Sequence, residues 1–258
     1  MTTIATWNVN SVNARLPNVL AWLGEAGPDI VLLQEIKCLD AAFPTEAVGE
    51  LGYNAVTHGQ KSYNGVAILS RRPIEDVVRG LPGGEGDEQA RYLQATSGDL
   101  RVASIYLPNG NPIGTEKFGY KLAWMERLRT HAAALLELEE PVVLGGDYNV
   151  IPEPIDCHDP KAWLGDALYQ PESRRAFRSL LHLGYTEAFR ALHPDQRGAY
   201  SFWDYQRGAF QLDHGIRIDH LLLSPLAADR LVGCTIDKDP RRLPKASDHT
   251  PVIVEIRD

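Results

Sequence analysis

The stretch PVVLGGDYNV, Pro141 to Val150, runs from apolar residues through two glycines to Asp147 and Asn149. An isolated Gly-Gly-Asp is typical of a turn. On an extended strand, however, residues two apart in sequence face the same side. A carboxylate and a carboxamide on one side could act together on water or a charged substrate, so similar groups elsewhere in the chain become important.

Five further apolar runs end in, or contain, polar residues that a buried strand does not need. These residues are Asn8, Asn10, Gln34, Glu35, Tyr106, Asn109, Asp219, His220, Asp248 and His249. Each alone is more typical of a turn, a local cap or a solvated rim. Six such places in one chain favour a functional interpretation, because side chains at the ends of adjacent strands converge on one edge of a sheet.

The chemistry that these groups fit is hydrolysis of a phosphate ester. Carboxylate and amide oxygens are the ligands that Mg²⁺ prefers, usually together with substrate phosphate. The chain has no CxxC or HExxH for zinc, no GxSxG of a serine hydrolase and no GxxxxGK[ST] phosphate loop. What remains is metal-assisted attack of water on phosphorus, with amide and imidazole groups receiving the developing charge.

The elements that must position these groups are short β-rich runs with a few helices between them. The predicted strands lie in TIATWNV, DIVLLQEI, GVAILSR, LRVASIYLP, PVVLGGDYNV, IRIDHLLLS and PVIVEIRD. Helices are predicted over Ala14–Ala26, with Asn13 as its cap, over Thr115–Leu138 and over Glu172–Leu183. This order fits two packed sheets with helices outside better than a TIM barrel or a doubly wound sheet.

One domain covering residues 1–258 is predicted, because no low-complexity segment or linker divides the chain. Two short internal matches, WNV with DYNV and GVAILSRRP with HLLLSPLAA, would suit two similar β-rich halves. The stretches Leu81–Ala90 and Ile151–Asp166 are predicted to be surface loops of a length that often carries function.

The composition is that of an ordinary globular protein, with 44% hydrophobic residues and a formal net charge of −8. This charge argues mildly against a general nucleic-acid binder, although carboxylates that hold metal ions also make a chain acidic. Three widely spaced cysteines, Cys38, Cys157 and Cys234, favour reduced thiols. With no signal-peptide pattern and no membrane-length apolar stretch, a soluble cytoplasmic protein is expected.

The motifs together resemble a known family. TWNVNS, LLQEIK, YLPNG, GGDYNV, SFWDY, GIRIDHLLLS and SDHTPV occur in the order and spacing of the exonuclease III family. Its members are the bacterial apurinic/apyrimidinic (AP) endonucleases of the endonuclease/exonuclease/phosphatase superfamily. The resemblance spans Thr6 to Val252 and implies a four-layer α/β sandwich, two packed mixed β-sheets flanked by helices, with the active site where the sheets meet.

The resemblance also implies a metal site and roles for the catalytic residues. The residues implied around Mg²⁺, or Mn²⁺, are Asn8, Glu35, Asp147, Asn149, Asp248 and His249. By this resemblance Glu35 would be the principal ligand, and Asp147 would position and deprotonate the attacking water. Asn149 would steady phosphate and water, and His249 would contact the scissile phosphate. Asp219 would hydrogen-bond to His249, and Tyr106 would reach the phosphate or the leaving oxygen.

The resemblance also implies the DNA-binding part of the site, through two motifs that would otherwise suit a buried apolar cluster. SFWDY and GIRID would form an abasic-sugar pocket of Phe202, Trp203, Ile216 and Ile218, too small for a nucleotide that still carries its base, with Asn109 also facing DNA. The implied partner is double-stranded DNA with abasic sites or 3′ ends. The stretch Ile151–Gln170 follows no family pattern that can be mapped, and Gln206-Arg207 stands where DNA-contacting residues vary among relatives, so the balance of AP incision and 3′→5′ exonuclease activity stays open.

The expected activity is cleavage of the phosphodiester 5′ to an abasic site, leaving a 3′-hydroxyl and a 5′-phosphate, with 3′→5′ exonuclease activity on duplex DNA. One alternative keeps the chemistry and changes the substrate: a phosphatase or phosphodiesterase acting on small phosphoesters. The other alternative is a non-catalytic DNA-binding module, which the net charge and the full set of catalytic residue types disfavour.

Overall fold

The computed structural model describes residues 1–258, which form twelve strands and six α-helices. The strands are β1 Thr2–Asn8, β2 Ile30–Gln34, β3 Asn54–His58, β4 Val66–Ser70, β5 Glu75–Arg79, β6 Tyr92–Ser97, β7 Leu100–Tyr106, β8 Val142–Asp147, β9 Thr186–Glu187, β10 Asp219–Leu223, β11 Leu231–Ile236 and β12 Val252–Ile256. The helices are α1 Leu16–Ala26, α2 Thr45–Glu50, α3 Glu116–Leu136, α4 Pro171–Leu181, α5 Ala188–Leu192 and α6 Pro225–Ala228.

The strands form two six-stranded mixed sheets with the same pattern of strand directions. The first sheet has the order β11-β12-β1-β2-β4-β3 and the second β5-β6-β7-β8-β10-β9. In each sheet only the central pair is parallel, β1 with β2 and β7 with β8. All other neighbours are antiparallel.

The two sheets pack face to face, and helices cover their outer faces. Ile4, Leu32 and Ile68 of the first sheet meet Val143 and Leu221 of the second in one buried cluster. A second cluster lies between the first sheet and α1 with α2, and a third between the second sheet and α3 with α4. Each strand of the central pairs is therefore buried on both faces, which explains its continuous apolar sequence. The predicted four-layer α/β sandwich is confirmed.

The helix boundaries differ from the prediction by a few residues. α1 begins at Leu16, and Asn13 does not cap it: the Asn13 side chain instead donates to the Ala42 main-chain oxygen. Proline suits a first helical turn, where its missing N–H has no partner to lose, and Pro17 therefore favours the later start. α3 ends at Leu136, and α4 runs from Pro171 to Leu181.

None of the helices combines the length and the apolar character that crossing a lipid bilayer would require.

Candidate active site

Most of the polar residues singled out in the sequence lie at one edge of the sandwich, but His220 is buried beside Arg217 and Glu187, outside the cavity that opens there. The parallel pairs in both sheets end there, at Asn8 and Gln34 in the first sheet and at Tyr106 and Asp147 in the second. Antiparallel β10 starts at the same edge, with Asp219 directly opposite Asp147. The strand directions therefore bring together groups that are far apart in the chain.

The two glycines before Asp147 allow β8 to pack closely against its neighbours and do not form a turn. A Cβ at Gly145 would lie 2.6 Å from side-chain atoms of both Leu32 and Leu221. A Cβ at Gly146 would lie 1.9 Å from the main-chain oxygen of Ile105 in the neighbouring strand. The glycines let the sheets and strands approach closely just before this edge, and β8 continues through them to Asp147, so this Gly-Gly-Asp is not a turn.

Glu35 and Asp147, from different sheets, are joined by one amide. Asn8 Nδ2 donates to Glu35 Oε1 at 2.8 Å and to Asp147 Oδ2 at 3.0 Å. Asn8 Oδ1 accepts from the Asn10 N–H at 3.0 Å, so the amide oxygen is turned away from the two carboxylates. Lys37 Nζ lies 2.7 Å from Glu35 Oε2. Glu35 has a φ of +51°, a sparsely populated conformation for this residue type that is typical of functional sites.

His249 lies between two buried carboxylates. Its Nδ1 is 2.9 Å from Asp219 Oδ2, and its Nε2 is 3.7 Å from Asp147 Oδ2. Asp219 is fully buried, and its main-chain N–H donates to Ser201 Oγ at 3.1 Å. Asp219 thus fixes the orientation of the imidazole and leaves Nε2 directed towards Asp147.

The pKa values of these groups are shifted by burial and by the charges and hydrogen bonds of their neighbours. Burial raises the pKa of the Asp147 carboxyl, while the charge of His249 opposes that shift. Burial alone would lower the pKa of His249, but the charges of Asp219 and Asp147 outweigh it and raise this pKa well above its usual range. His249 is therefore a cation at neutral pH. Burial alone would raise the pKa of Glu35, but hydrogen bonds from Asn8 and Lys37 lower it.

Asn149, Asn109 and Tyr106 complete the polar part of the site. Asn149 lies beyond the end of β8 with a φ of +47°, and its N–H donates to Asp147 Oδ1 at 2.9 Å. A local turn, and not strand alternation, therefore brings Asn149 beside Asp147. Asn109 Nδ2 donates to Asn149 Oδ1 at 3.1 Å. Burial and the charges of Glu35 and Asp147 raise the pKa of Tyr106 well above its ordinary value, so its hydroxyl remains protonated.

A cavity of about 310 Å³ opens over these groups. It is lined by Glu35, Tyr106, Asn109, Asp147, Asn149, Trp163, Asp166, Leu168, Phe202, Ile218, Asp248 and His249. A larger cleft of about 630 Å³ contains none of the strand-end residues and is lined by Phe210, Gln211, Asp213, Lys238, Arg241, Arg242 and Leu243. The smaller cavity is the candidate active site, because the chemically competent groups converge there.

The apolar wall of the cavity differs from the expected abasic pocket. Phe202 and Ile218 line it, whereas Trp203 and Ile216 do not. Trp203 is fully buried on the other side of the loop, where its Nε1 donates to Asp213 at 3.1 Å. Phe202 and Trp203 are neighbours in an extended segment and face opposite ways. Ile216 instead packs in a buried cluster with Ile218 and Leu168 and does not reach the cavity.

The loop that could not be mapped in the sequence supplies the rest of that wall. Trp163, Asp166 and Leu168 from the stretch 151–170 all line the cavity. Loop length and an isolated tryptophan were the only sequence signals for this contribution. Long-range contacts fix the loop: the Ile151 N–H donates to Leu168 O, and the His158 N–H to Gly215 O.

Two carboxylates of the site suit a divalent metal ion. Ligand atoms of Glu35, Asp147 and His249 all lie within 4.8 Å of one another. Glu35 and Asp147 offer the oxygen ligands that Mg²⁺ prefers. The amide oxygens of Asn8 and Asn149 already accept hydrogen bonds. Asp248, whose Oδ1 accepts from Asn10 Nδ2 at 3.1 Å, is outside this group. The residues present therefore fit an ion held chiefly by Glu35, with Asp147 beside it.

Comparisons with known proteins agree on a single family. A family model described as "Endonuclease/Exonuclease/phosphatase family" matches residues 5–249. Exodeoxyribonuclease III of Haemophilus influenzae is 34% identical over 263 residues, which cover 98% of each chain. An AP endonuclease structure from Archaeoglobus fulgidus superposes with a TM-score of 0.96 at 39% identity, covering 100% of both chains. A structure of the 3′ phosphatase NExo from Neisseria, bound to a product DNA hairpin, superposes with a TM-score of 0.97, also at 39% identity and 100% coverage of both chains.

Proposed function

This chain belongs to the endonuclease/exonuclease/phosphatase family, and on that basis we propose that it is a metal-dependent DNA repair nuclease. The proposed reaction is hydrolysis of the phosphodiester 5′ to an abasic site, with release of a 3′-hydroxyl and a 5′-phosphate, together with 3′→5′ exonuclease activity on duplex DNA. The observation that carries the proposal is the meeting of Glu35, Asp147 and the Asp219–His249 pair at one cavity, in a chain similar over its full length to an exodeoxyribonuclease III and to an AP endonuclease.

Asp147 is the proposed general base. Its raised pKa suits proton transfer near neutral pH. As the water oxygen bonds to phosphorus, the water proton passes to Asp147 and the bond to the 3′ oxygen breaks. His249, a cation held by Asp219, stabilises the negative charge that develops on the phosphate oxygens. The protonated hydroxyl of Tyr106 donates a hydrogen bond towards the leaving oxygen, which takes up a proton from solvent to become the 3′-hydroxyl.

Mg²⁺ is the proposed metal, with Mn²⁺ as a substitute; Glu35 would be its principal ligand, with Asp147 beside it. When bound, such an ion neutralises charge on the phosphate and polarises its oxygens. The Asn8 amide joins the two carboxylates and so fixes their positions at the cavity.

The proposed substrate is double-stranded DNA with an abasic site or a 3′ end. Trp163, Leu168, Phe202 and Ile218 give the cavity an apolar wall against which a sugar without a base can pack. A nucleotide that retains its base needs more space than such a pocket gives, so the wall would select flipped abasic sugars. Three buried free cysteines suit a reducing compartment, and the proposed location is the cytoplasm, with the DNA.

The test is incision of an end-labelled duplex that carries one abasic analogue. We expect a nick 5′ to the analogue in Mg²⁺ or Mn²⁺, no nick in EDTA, and a 3′ end that a polymerase can extend. Full activity in the chelator would refute the metal assignment. A duplex that stays uncut after prolonged incubation in Mg²⁺ would refute the proposed nuclease activity.

Removal of a 3′ phosphate from DNA ends is a second candidate activity. The observation in its favour is the equally close similarity to a 3′ phosphatase structure. A duplex with a 3′-phosphate nick, assayed beside the abasic duplex, separates the two activities. Phosphate release without abasic incision would make the chain a 3′-end enzyme with the same catalytic groups.

A further inference from the structure

A buried lysine lies behind the cavity, outside the set of groups that carry out the proposed reaction. Lys121 belongs to α3 in the outer helical layer and is fully buried. Its Nζ donates to the main-chain oxygens of Asn109, at 3.0 Å, and of Asn149, at 2.6 Å. Asn109 follows β7 and Asn149 follows β8, so one amine joins the two strand-end loops from behind.

The surroundings of Lys121 are built to admit its side chain. The buried face of α3 is otherwise apolar, with Trp124, Met125 and Leu128 packed against the second sheet. Gly110 has a φ of +87°, and a Cβ there would lie 2.6 Å from Lys121 Cδ. A lysine is rarely buried in such a face unless its amine donates hydrogen bonds. Here the amine donates to the two loop carbonyls.

The joined loops carry groups that act on the phosphate. The Asn149 N–H donates to Asp147 Oδ1 at 2.9 Å, and the Asn109 side chain donates to Asn149 Oδ1 at 3.1 Å. Lys121 itself does not line the cavity. Its hydrogen bonds therefore reach the reacting centre through the backbone that it holds.

We propose that Lys121 is a positioning residue for phosphodiester hydrolysis, fixing the main chain of both loops so that Asn149 and Asp147 keep their reactive geometry. This inference rests on the proposed function, because the role is defined by the reaction that the two residues perform.

The first test is Lys121→Met, which keeps the length of the side chain but cannot donate. We expect the single-turnover rate constant to fall by about 10- to 100-fold, since a displacement of about 1 Å in an active site can cost that much. Duplex affinity measured in Ca²⁺ should change little, because Lys121 does not reach the cavity. Leu128→Ala, in the same buried face of α3, is the matched control: it should lower the melting temperature and leave the rate constant unchanged.

A double-variant cycle separates positioning from a general loss of stability. If Lys121 acts through Asn149, then Lys121→Met combined with Asn149→Ala loses less rate than the product of the single losses. For Leu128→Ala combined with Asn149→Ala, the rate loss should equal the product of the two single losses. Lys121→Gln, which retains a neutral donor, should lose less rate than Lys121→Met, and it replaces that variant in the cycle if Lys121→Met does not fold.

Rate losses that multiply in the Lys121–Asn149 cycle would overturn the inference, and so would a wild-type rate constant in Lys121→Met. The same assay distinguishes a failure of the proposed function from a failure of the role assigned to Lys121. No incision by the wild-type protein would refute the proposed function, whereas normal incision by the wild type and by every Lys121 variant would refute only the role of Lys121.

Discussion

Phe202 and Trp203 are adjacent in sequence but have different surroundings. The Phe202 ring lies 5.0 Å from the His249 ring and lines the cavity. Trp203 is fully buried against Tyr200 and Phe210. One residue thus contacts the reacting centre, and the other supports the loop from inside.

Alanine substitutions at these two positions should therefore have different effects. Phe202→Ala should lower abasic incision more than hydrolysis of an activated small phosphodiester, because only the larger substrate uses the apolar wall. Trp203→Ala should instead lower the free energy of unfolding by about 3–5 kcal/mol, as expected for a buried tryptophan. Steady-state kinetics on both substrates and urea unfolding check this. Equal losses on both substrates for Phe202→Ala would contradict the pocket.

The strand-end groups were predictable at this scale because acids and amides in apolar runs are a local feature of the sequence. Glu35 and Asp147 could be named before their closeness in space was known. Leu168 and Lys121 could not, since their roles depend on which distant backbone they meet. The orientation of Asn8, with its donor facing the carboxylates, is likewise a property of three dimensions.

At the scale of elements, one buried ion network joins the cavity loop to β9 and to the segment just before β10. Arg217, which is 1% exposed, donates to Asp156 Oδ1 at 2.8 Å and to Glu187 Oε1 at 2.7 Å. Asp156 belongs to the same loop as Trp163 and Leu168, and Arg190 donates to it as well. The network explains how a loop without regular strands keeps a fixed place beside the cavity.

Arg217→Met should reduce the free energy of unfolding by about 3–5 kcal/mol, because it leaves the buried Glu187 carboxylate without its arginine partner and Asp156 with Arg190 alone. Arg175→Met is the matched control. The Arg175 side chain is 71% exposed, and its one ion pair, with Glu172, is long at 3.7 Å. Its replacement should therefore change the free energy of unfolding by no more than about 0.5 kcal/mol. Urea unfolding of both variants checks the expectation. Similar stability in the two would mean that the buried network contributes nothing measurable.

The same network predicts a loss of stability in acid. Burial alone would raise the pKa of Glu187, but the charge of Arg217 and a hydrogen bond with His220 lower it to about 2, from an ordinary value of 4.5. The folded state then binds fewer protons than the unfolded state between these values, so this contribution is complete above pH 4.5 and is lost as pH falls towards 2. Glu187→Gln, with no titrating group, should show a shallower fall of stability over this range, and an unchanged slope would contradict the assignment.

At the scale of the whole molecule, the two sheets repeat one pattern of strand directions. β4 and β10 occupy equivalent places, as the match of GVAILS with HLLLS indicated. The match of WNV with DYNV was wrong as a correspondence, because β1 is equivalent to β7 and β8 to β2. Asp147 at the end of β8 thus corresponds to the end of β2, beside Glu35. Three-residue matches are too short to fix such a register, whereas fold class follows from the order of strands and helices along the chain.

A single shared core predicts one cooperative unfolding transition that responds to metal. Mg²⁺ at 100 times its Kd should stabilise the folded state by about 2.7 kcal/mol. We expect the melting temperature to rise with Mg²⁺ in the wild type and in Glu46→Gln, which alters an exposed acid of α2, but not in Glu35→Gln. Differential scanning calorimetry checks both points. Two separated transitions, or an undiminished Mg²⁺ response in Glu35→Gln, would contradict the single domain or the metal site respectively.

The central claim is that Asp147 accepts the proton of the attacking water, and Asp147→Asn tests it most directly. The amide keeps the shape of the side chain but cannot accept a proton at neutral pH. A positioned general base contributes roughly 10²–10⁴-fold in rate, so the single-turnover rate constant for abasic incision should fall by at least about 10²-fold. Affinity for the same duplex in Ca²⁺ should hold or improve, because one negative charge facing the phosphate is removed. A near wild-type rate constant, or weakened binding with the rate constant preserved, would contradict the mechanism.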